Sequence, residues 1–298
     1  MEIVRELREI PNLSLALGFF DGVHQGHQAV ISSAVDFARD NGLESAIITF
    51  KEPPECFLNA VSPKYILTHA DKYKILENLG LDYIIELDFS TIAHLSPTEY
   101  LDLINKYFNP KAISTGFNHK FGVSRSGNVK FLSDNQDKYN YIYFATPPLT
   151  IFGDMISSTH IKEFITSGVV DMAAIMLARK FSVSGTVVKG REIGRTIGFP
   201  TANIIYPLNI VDPAYGVYDV DVELPDGTVR RGLANYGVSP TVSNDNIPIL
   251  EVHILGFDGD LYDNDIKIKF SSMIRSEMKF DSLNDLKTQI EFDIQQLK

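Results

Sequence analysis

The stretch "LSLALGFFDGVHQGHQAVISSAVDFARDNGLESAIITF", residues 13–50, decides the fold of the first half of the chain. Its opening apolar run, residues 13–20, predicts a strand that ends in an Asp-Gly turn. The following residues repeat apolar side chains at helical spacing until Asn41 and Gly42 end the helix, and residues 45–50 form a second apolar run. A strand, a helix and a strand in this order predict a βαβ unit with parallel strands.

The alternation of helices and strands continues to about residue 180. Ser96, Pro97 and Glu99 form the start signal of one helix, with Ser96 as the N-cap and Glu99 completing a capping box. Further helices are predicted at residues 71–80, 96–108 and 157–168, and further strands at residues 82–89, 111–115 and 139–147. We expect an α/β fold with an open, doubly wound sheet, whose ligands lie at the carboxyl ends of the strands.

The sequence pattern changes near residue 181 to short β-rich runs separated by Gly, Pro, Asn and Asp. This pattern is typical of an antiparallel barrel or sandwich. The last segment, residues 282–297, predicts a helix that Ser282 and Asp285 can cap. Its apolar stripe is formed by Leu283, Leu286, Ile290 and Leu297. We therefore predict two domains, residues 1–180 and residues 181–298.

Composition limits the classes of function. The chain has 298 residues, a net charge of −11 and no long Lys/Arg run, so a nucleic-acid partner is not expected. Residues 1–10 are charged and no apolar run is long enough to span a bilayer, so we expect neither a secretion signal nor a membrane partner. The one cysteine, Cys56, excludes an internal disulfide and favours a cytoplasmic location.

Two histidines, His24 and His27, stand where the first predicted strand turns into the first helix. Zinc-binding histidines on a helix usually stand four residues apart beside a carboxylate or cysteine, so a metal site is the weaker interpretation. The free amides of a helix N-terminus, its dipole and two imidazoles favour an anion site, and Gly18, Gly22 and Gly26 let the backbone approach a ligand. A polar turn that merely contains histidines is the alternative.

Residues 185–204 of the second half, "GTVVKGREIGRTIGFPTANI", are rich in glycine. Gly185, Gly190, Gly194 and Gly198 predict loops that fold around phosphates. Thr201 and Asn203 offer neutral oxygens of the kind that Mg²⁺ accepts when it bridges nucleotide phosphates. The alternative is a turn in which these side chains satisfy the backbone.

The run "ILEVHIL", residues 249–255, alternates between apolar and polar side chains, which places Glu251 and His253 on one face of a strand. A phosphotransferase needs a carboxylate that orients an attacking hydroxyl and accepts its proton, and Glu251 is the best-placed candidate. The alternative is a solvated glutamate on a polar strand face.

The segment "GFFDGVHQGHQ", residues 18–28, resembles the HxGH signature of nucleotidyltransferases, and most closely that of the bacterial bifunctional riboflavin kinase/FMN adenylyltransferase (FAD synthetase) family. Further resembling segments follow in order: "TFKEPP" (49–54), "TGFNHKFGVSRSG" (115–127) and "ISSTHIKEFI" (156–165). The resemblance implies that His24 and His27 hold the nucleotide phosphates and stabilise the transition state of adenylyl transfer. It assigns ATP binding to Gly18, Phe20, Asp21, Gly26, Ser158, Thr159 and Lys162, and flavin binding to Asn118 and Arg125.

Three positions of this half depart from the family pattern. Lys162 stands where the family has arginine, which reduces a bidentate contact to a point charge. The histidine of the family's T-F-x-P-H-P motif is replaced in "TFKEPP", and His119 stands within the third motif. Without the resemblance, the segment around Lys162 also fits a capped surface helix with the lysine in solvent.

The second half resembles the riboflavin kinase module in "GRTIGFPTANI" (194–204), "GVYDVDV" (216–222), "LANYGVSPTV" (233–242), "LEVHILGFDGDLY" (250–262) and "IRSEMKFDSLNDLKTQI" (274–290). The resemblance implies a six-stranded barrel with a C-terminal helix. It assigns Mg-ATP to Thr201 and Asn203, the base that acts on the riboflavin 5′-hydroxyl to Glu251, and the flavin to Arg275. The glycines assigned to ATP are Gly185, Gly190 and Gly198.

We therefore expect an ATP- and Mg²⁺-dependent enzyme that makes FMN from riboflavin and then FAD from FMN. Riboflavin, FMN, FAD and ATP are its expected small-molecule partners. Two alternatives remain at this point: an enzyme that retains only one of the two activities, the adenylyltransferase half being the one that departs from its family, or a flavin- or nucleotide-binding regulator. The sequence does not determine the oligomeric state.

Overall fold

The computed structural model describes residues 1–53, 63–190, 193–238 and 248–297. Cys56, Pro54 of the "TFKEPP" segment and residues 239–242 lie outside the described residues. The chain divides into two compact units, Met1–Pro63 with Thr68–Ser157, and Lys64–Leu67 with Ser158–Lys298. The functional domain boundary at residue 180 stays a prediction.

A parallel sheet forms the centre of the first unit. Its strands and those beside it are β1 (Glu2–Val4), β2 (Leu13–Leu17), β3 (Glu44–Phe50), β4 (Tyr83–Leu87), β5 (Ala112–Gly116), β6 (Lys120–Phe121), β7 (Gly127–Asn128), β8 (Ile142–Thr146), β9 (Thr150–Ile151) and β10 (Asp154–Met155). Six strands are hydrogen-bonded in the order β1-β4-β3-β2-β5-β8, and each neighbouring pair is parallel. The helices are α1 (Gln25–Asn41), α2 (His69–Asn78), α3 (Phe89–Ile92), α4 (Pro97–Phe108), α5 (Val129–Asp134) and α6 (Gln136–Tyr139).

The βαβ unit predicted from residues 13–50 is confirmed. All five residues of β2 are buried, as expected of a strand in a parallel sheet that is covered on both faces. Helix α1 ends at Gly42, whose left-handed φ of 64° closes the helix without steric cost. The predicted capping box of α4 is also present, since Ser96 and Glu99 each bond the other's backbone N–H.

The order of the strands fixes where a ligand can lie. From β2 the chain passes to β3 and then to β4 on one side, and it later returns to place β5 on the other side of β2. The direction of winding therefore reverses between β2 and β5. Open α/β sheets bind their ligands in the crevice at such a point, outside the carboxyl ends of the strands. The segments that follow β2 and β5, residues 18–28 and 117–127, carry the predicted site residues.

A closed antiparallel barrel forms the second unit, in the strand order β11-β12-β15-β14-β13-β16. Its strands are β11 (Ser182–Val188), β12 (Ala202–Ile205), β13 (Gly216–Glu223), β14 (Val229–Val238), β15 (Pro248–Ile254) and β16 (Asp265–Ser276). Its helices are α7 (Ser158–Thr166), α8 (Val170–Leu177), α9 (Ile193–Thr196) and α10 (Leu283–Gln295). The predicted fold class, a doubly wound sheet followed by a six-stranded barrel with a C-terminal helix, is confirmed.

The C-terminal helix α10 begins as predicted, because the Ser282 side chain accepts the Asp285 backbone N–H. Its predicted apolar stripe is only partly covered: Leu283 is 57% exposed, whereas Leu286 and Ile290 line a cavity of the barrel.

Among the residues that the structure describes, no helix has the length and apolar character needed to cross a membrane.

Candidate functional site

The turn after β2 is tightly wound. Residues 21–23 form a short 3-10 turn, and three of the four residues 20–23 have positive φ: Phe20 at 58°, Gly22 at 76° and Val23 at 38°. Positive φ is unfavourable for a bulky side chain and more so for a β-branched one, and such positions persist only where the surroundings hold them. The turn is therefore a strained segment at the carboxyl end of the sheet.

The two predicted histidines lie against each other at the start of α1. The His24 side chain caps the helix, with its Nδ1 accepting the backbone N–H of His27 at 3.2 Å. The two imidazole rings are stacked with centroids 3.6 Å apart and planes 17° apart. The Phe20 ring meets His27 edge-on at 5.3 Å. Both imidazoles thus sit beside the positive end of the α1 dipole, which is the arrangement that favours an anion.

Gly18 and Gly26 of this motif also have a packing role, besides the predicted close approach to a ligand. A Cβ on Gly26 would lie 3.2 Å from two atoms of the His24 ring, and a Cβ on Gly18 would lie 3.0 Å from the Phe20 ring. Both contacts are tight enough to displace the rings. These glycines therefore make room for the rings of the motif, and their contact with ATP stays a prediction. Asp21 is buried in the same turn.

A buried lysine that the sequence analysis missed also reaches this turn. The Lys72 Nζ donates hydrogen bonds to the Phe19 carbonyl at 2.6 Å and to Thr49 Oγ1 at 3.2 Å. Burial lowers the pKa of Lys72 to about 8, although the charges of Asp21 and Glu86 act in the opposite direction. The sequence held one signal: Lys72 stands four residues before a buried leucine, on the apolar face of α2.

The segment after β5 supplies the other side of the crevice. Asn118 and Arg125 are exposed there, and Arg125 adopts a left-handed φ of 57°. The His119 ring stacks with Phe121 at 5.7 Å, and among the described residues its Nε2 is buried without a hydrogen-bond partner. Burial, together with the charge of Arg125, lowers the pKa of His119 to about 4, so this imidazole is neutral near pH 7.

Ser158, Thr159 and Lys162 lie in α7, which belongs to the second compact unit. Ser158 and Thr159 occupy the first turn of this helix, and Lys162 is half-buried one turn later. Free amides and small hydroxyl side chains at a helix start are suited to phosphate. The assignment of these three residues to ATP stays a prediction.

In the barrel, the predicted residues of the kinase motifs come together on neighbouring strands. Asn203 on β12 lies opposite Glu251 on β15, and Asn235 on β14 lies opposite Glu251 on its other side. Leu250 and Val252 point into the barrel core, so Glu251 points to the outer face. The three polar side chains therefore form one row across that face.

Glu251 lines a cavity of about 300 Å³ between the outer face of the barrel and α10. The walls of the cavity are largely apolar and include Ile197, Phe199, Met278, Phe280, Leu286 and Ile290. Such walls, with a few polar groups, suit a flat and mainly apolar ligand. Glu251 is half-buried at this cavity, which favours its interpretation as the base over that of a solvated surface glutamate, and the assignment stays a prediction.

A second cavity, of about 450 Å³, lies next to the first and is more polar. Its lining includes Arg195, Asp258, Asp260 and Tyr262. Thr201 lines both cavities and therefore stands at their junction. The Asn203 Nδ2 donates to the Thr201 carbonyl at 3.3 Å, and a Cβ on Gly190 would lie 2.4 Å from that amide nitrogen, so Gly190 leaves the space that Asn203 occupies.

The expectation that Gly185 lies in a phosphate-binding loop is wrong. Gly185 is the central residue of β11, where it pairs with Ile266, and a Cβ there would lie 2.3 Å from Ile204 Cγ2. Gly185 is therefore required by barrel packing. Gly198 does lie in a turn, with a φ of 93° and open space around its Cα.

Arg275 lines the apolar cavity, as its predicted contact with the flavin requires. Its Nε and Nη2 bind the Asp293 carboxylate at 2.9 Å each, and Asp293 is 1% exposed. Gln289 also donates to Asp293, at 2.7 Å. This ion pair joins β16 to α10 and fixes the guanidinium at the cavity wall. The sequence held a signal for Asp293 that was missed, because this residue stands at helical spacing between Ile290 and Leu297 of the predicted apolar stripe.

The oxygen donors in the barrel fit magnesium. Among the described residues, no group of three or more His, Cys, Asp or Glu side chains could hold a metal ion alone. Thr201 instead offers one hydroxyl at the polar cavity, and Asn203, whose side chain is bonded to the Thr201 carbonyl, offers one amide oxygen. Mg²⁺ commonly takes one or two protein oxygens and completes its shell with water and phosphate oxygens.

Comparison with known proteins matches both halves. A family model described as FAD synthetase matches residues 7–160, and one described as riboflavin kinase matches residues 177–298. A bifunctional riboflavin kinase/FMN adenylyltransferase from Haemophilus influenzae is 34% identical over 100% of this chain and 98% of its own length. That of Bacillus subtilis is 35% identical over 95% of this chain and 90% of its own.

One solved structure, titled a macrolide-efflux protein from Streptococcus pneumoniae, is similar in fold over nearly the whole chain. Its TM-score is 0.90 at 32% identity, and the match covers 98% of this chain and 97% of that one.

Proposed function

The chain belongs to the bifunctional riboflavin kinase/FMN adenylyltransferase family, and from this premise we propose which residues perform each of its two reactions. The enzyme phosphorylates riboflavin with ATP to give FMN, and it then transfers an adenylyl group from a second ATP to FMN, which gives FAD and pyrophosphate. We place the first reaction in the barrel and the second at the crevice of the parallel sheet.

Glu251 is the general base of the kinase reaction. Its carboxylate accepts the proton of the riboflavin 5′-hydroxyl while that oxygen attacks the γ-phosphorus of ATP, and ADP leaves. The observation that carries this assignment is the position of Thr201, which lines both the apolar cavity that holds Glu251 and the polar cavity beside it. Flavin in the first cavity and ATP in the second would meet at that residue.

Thr201 and Asn203 would hold the Mg²⁺ that accompanies ATP. The ion, when bound, neutralises charge on the phosphate oxygens. Asn203 is suited to this role because Gly190 and the Thr201 carbonyl fix its amide group. Arg275, held by Asp293, positions the flavin at the opposite wall of the apolar cavity.

Adenylyl transfer takes place at the turn after β2. A phosphate oxygen of FMN attacks the α-phosphorus of ATP, the bond from that phosphorus to the bridging oxygen breaks, and pyrophosphate leaves. His24 and His27 bind the phosphates and stabilise the charge that develops on them. Asn118 and Arg125 contact the flavin, and Ser158, Thr159 and Lys162 contact the phosphates. These last five roles rest on the resemblance of the motifs.

One experiment tests the proposal. The protein is incubated with riboflavin, ATP and Mg²⁺, and the flavins are separated over time. We expect FMN to form first and FAD to follow. FMN alone would mean that the adenylyltransferase site is inactive, and no product at all would favour a binding protein.

A cytoplasmic location remains a prediction from the cysteine content.

A further inference from the structure

Lys72 is a buried cation whose side chain ends at the turn that carries the histidine motif. It is 6% exposed, whereas Lys74 on the same helix is exposed. A charged group inside a protein is costly unless it is bonded. The Lys72 ammonium is bonded to the Phe19 carbonyl at 2.6 Å and to Thr49 Oγ1 at 3.2 Å, and it lies 4.8 Å from the centre of the Phe19 ring.

The Phe19 carbonyl that Lys72 binds stands directly before the strained turn. It accepts a second hydrogen bond from Thr49 Oγ1 at 3.0 Å, so α2 and β3 both hold it. The next residue, Phe20, is the first of three residues with positive φ in this turn, the others being Gly22 and Val23. Strained backbone of this kind keeps its conformation only when neighbouring groups restrain it.

The same turn sets the position of the two imidazoles. Phe20 is 2% exposed, and its ring packs edge-on against His27, which in turn stacks on His24. A shift of the Phe19 carbonyl would move Phe20 and, through it, both histidine rings. Because these side chains are closely packed, a shift of the Phe20 ring is transmitted to the two imidazole rings.

We propose that Lys72 is a positioning residue for adenylyl transfer, which holds the Phe19 carbonyl and thereby keeps the turn in the conformation that presents His24 and His27 to the phosphates. This inference rests on the proposed role of the two histidines. It adds a residue outside the recognised motifs, which acts through the backbone rather than by touching the substrate.

The test uses the full-length enzyme and the substitution Lys72→Met, which keeps the length of the side chain and removes its charge. A small displacement of positioned groups can cost about 100-fold in rate, so we expect kcat for FAD formation from FMN to fall by roughly 10- to 100-fold. KM for ATP should change much less, because the lost interaction acts in the transition state. The rate of riboflavin phosphorylation, measured on the same preparation, should match the wild type.

Two further variants make the result specific. Lys74→Met removes an exposed lysine from the same helix and should leave both reactions unchanged. Thr49→Val removes the neutral hydrogen bond to the Phe19 carbonyl and the Thr49 oxygen that Lys72 also bonds, but it keeps the bond from Lys72 to that carbonyl. We therefore expect kcat for FAD formation to fall by a smaller factor, about threefold to tenfold. If Lys72→Met disturbs the unit too much for KM to be measured, the kcat for FAD formation of Thr49→Val tests whether the restraint on the Phe19 carbonyl matters.

The outcomes separate this inference from the assignment on which it rests. A wild-type kcat for FAD formation in Lys72→Met would overturn the positioning role. Equal losses of both activities would overturn it too, since they indicate a role in stability, and so would a loss of ATP affinity at unchanged kcat, which indicates a role in binding. His27→Ala is measured in parallel. If His27→Ala makes FAD normally, the histidine assignment fails first. If His27→Ala is inactive and Lys72→Met is not, only the inference about Lys72 fails.

Discussion

Asn203 of β12 lies directly opposite Glu251 of β15 in the antiparallel barrel. Residues that face each other across a strand pair share one face of the sheet, so an amide stands beside the carboxylate that lines the apolar cavity. The amide is buried and held by the Thr201 carbonyl, and the carboxylate is half-buried beside apolar walls. The proposed magnesium ligand Asn203 and the proposed base Glu251 are thus neighbours on adjacent strands.

We therefore expect Glu251→Gln to abolish FMN formation and to leave FAD formation from added FMN intact. The amide cannot accept the hydroxyl proton, and loss of a general base typically costs about 100- to 10,000-fold in rate. Both rates are measured on one preparation by separating the flavins. Glu223→Gln, which changes a more exposed carboxylate on β13, is the matched control and should behave as wild type. Equal loss of both activities in Glu251→Gln would contradict separate sites.

His27→Ala should give the opposite pattern, with FMN formation spared and FAD formation reduced. Removing one preorganised group that stabilises developing charge costs about 100- to 1,000-fold in kcat. The assay supplies FMN and ATP directly and measures pyrophosphate release together with FAD. His94→Ala, an exposed histidine of the same unit, is the control. Unimpaired FAD synthesis in His27→Ala would remove the phosphate-binding role from the stacked imidazoles.

Local signals explain why much of the fold could be predicted. The βαβ unit of residues 13–50 and the Ser96–Glu99 capping box depend on neighbours within one element, and both are present. The position of β5 beside β2 could not be predicted, because strand pairing joins segments far apart in sequence. The sequence indicated a ligand site at the carboxyl ends of the strands. It did not indicate that the segment after β5 forms the other side of the crevice, because that follows from the pairing of β5 with β2.

The same distinction applies to the candidate sites. Glu251 and Asn203 could be predicted because each belongs to a short motif, although their pairing across the barrel could not. Lys72 was missed because its bonding partners, Phe19 and Thr49, stand 53 and 23 positions away in sequence. Gly185 was misplaced because a glycine in sequence indicates a loop, whereas its role in the barrel depends on the Ile204 side chain across the strand pair.

Asp293→Asn should weaken both the barrel and its affinity for riboflavin. The substitution removes the charge that pairs with Arg275 in a largely buried site, and breaking a buried ion pair costs about 3 kcal/mol of unfolding free energy. Urea unfolding measures the loss of stability, and titration with riboflavin measures affinity. Glu291→Gln changes an exposed carboxylate on the same helix and serves as the control. Unchanged riboflavin affinity would mean that Arg275 does not depend on Asp293 for its position.

FAD formation should also respond to pH through Lys72. Burial lowers the pKa of Lys72 to about 8, so the ammonium that holds the Phe19 carbonyl loses its proton as the pH rises through that value, and the rate from FMN should fall there. The charges of Asp21 and Glu86 face the lysine and raise its pKa, while burial and the nearby lysine lower the pKa of His69 below its ordinary 6.5. His69 therefore does not titrate between pH 7 and pH 9.

The fall in rate would not come from unfolding. The folded chain releases the Lys72 proton near pH 8, whereas the unfolded chain keeps it to about its ordinary pKa of 10.5, so this group makes the folded state more stable as the pH rises between the two values. The pH profile of kcat for FAD formation is compared between the wild type and Lys72→Met, with riboflavin phosphorylation as the internal reference. The wild type should lose rate near pH 8, and the variant, already slow, should show no fall there. A fall of the same size in both proteins would assign that ionisation to another group and contradict the role of the lysine.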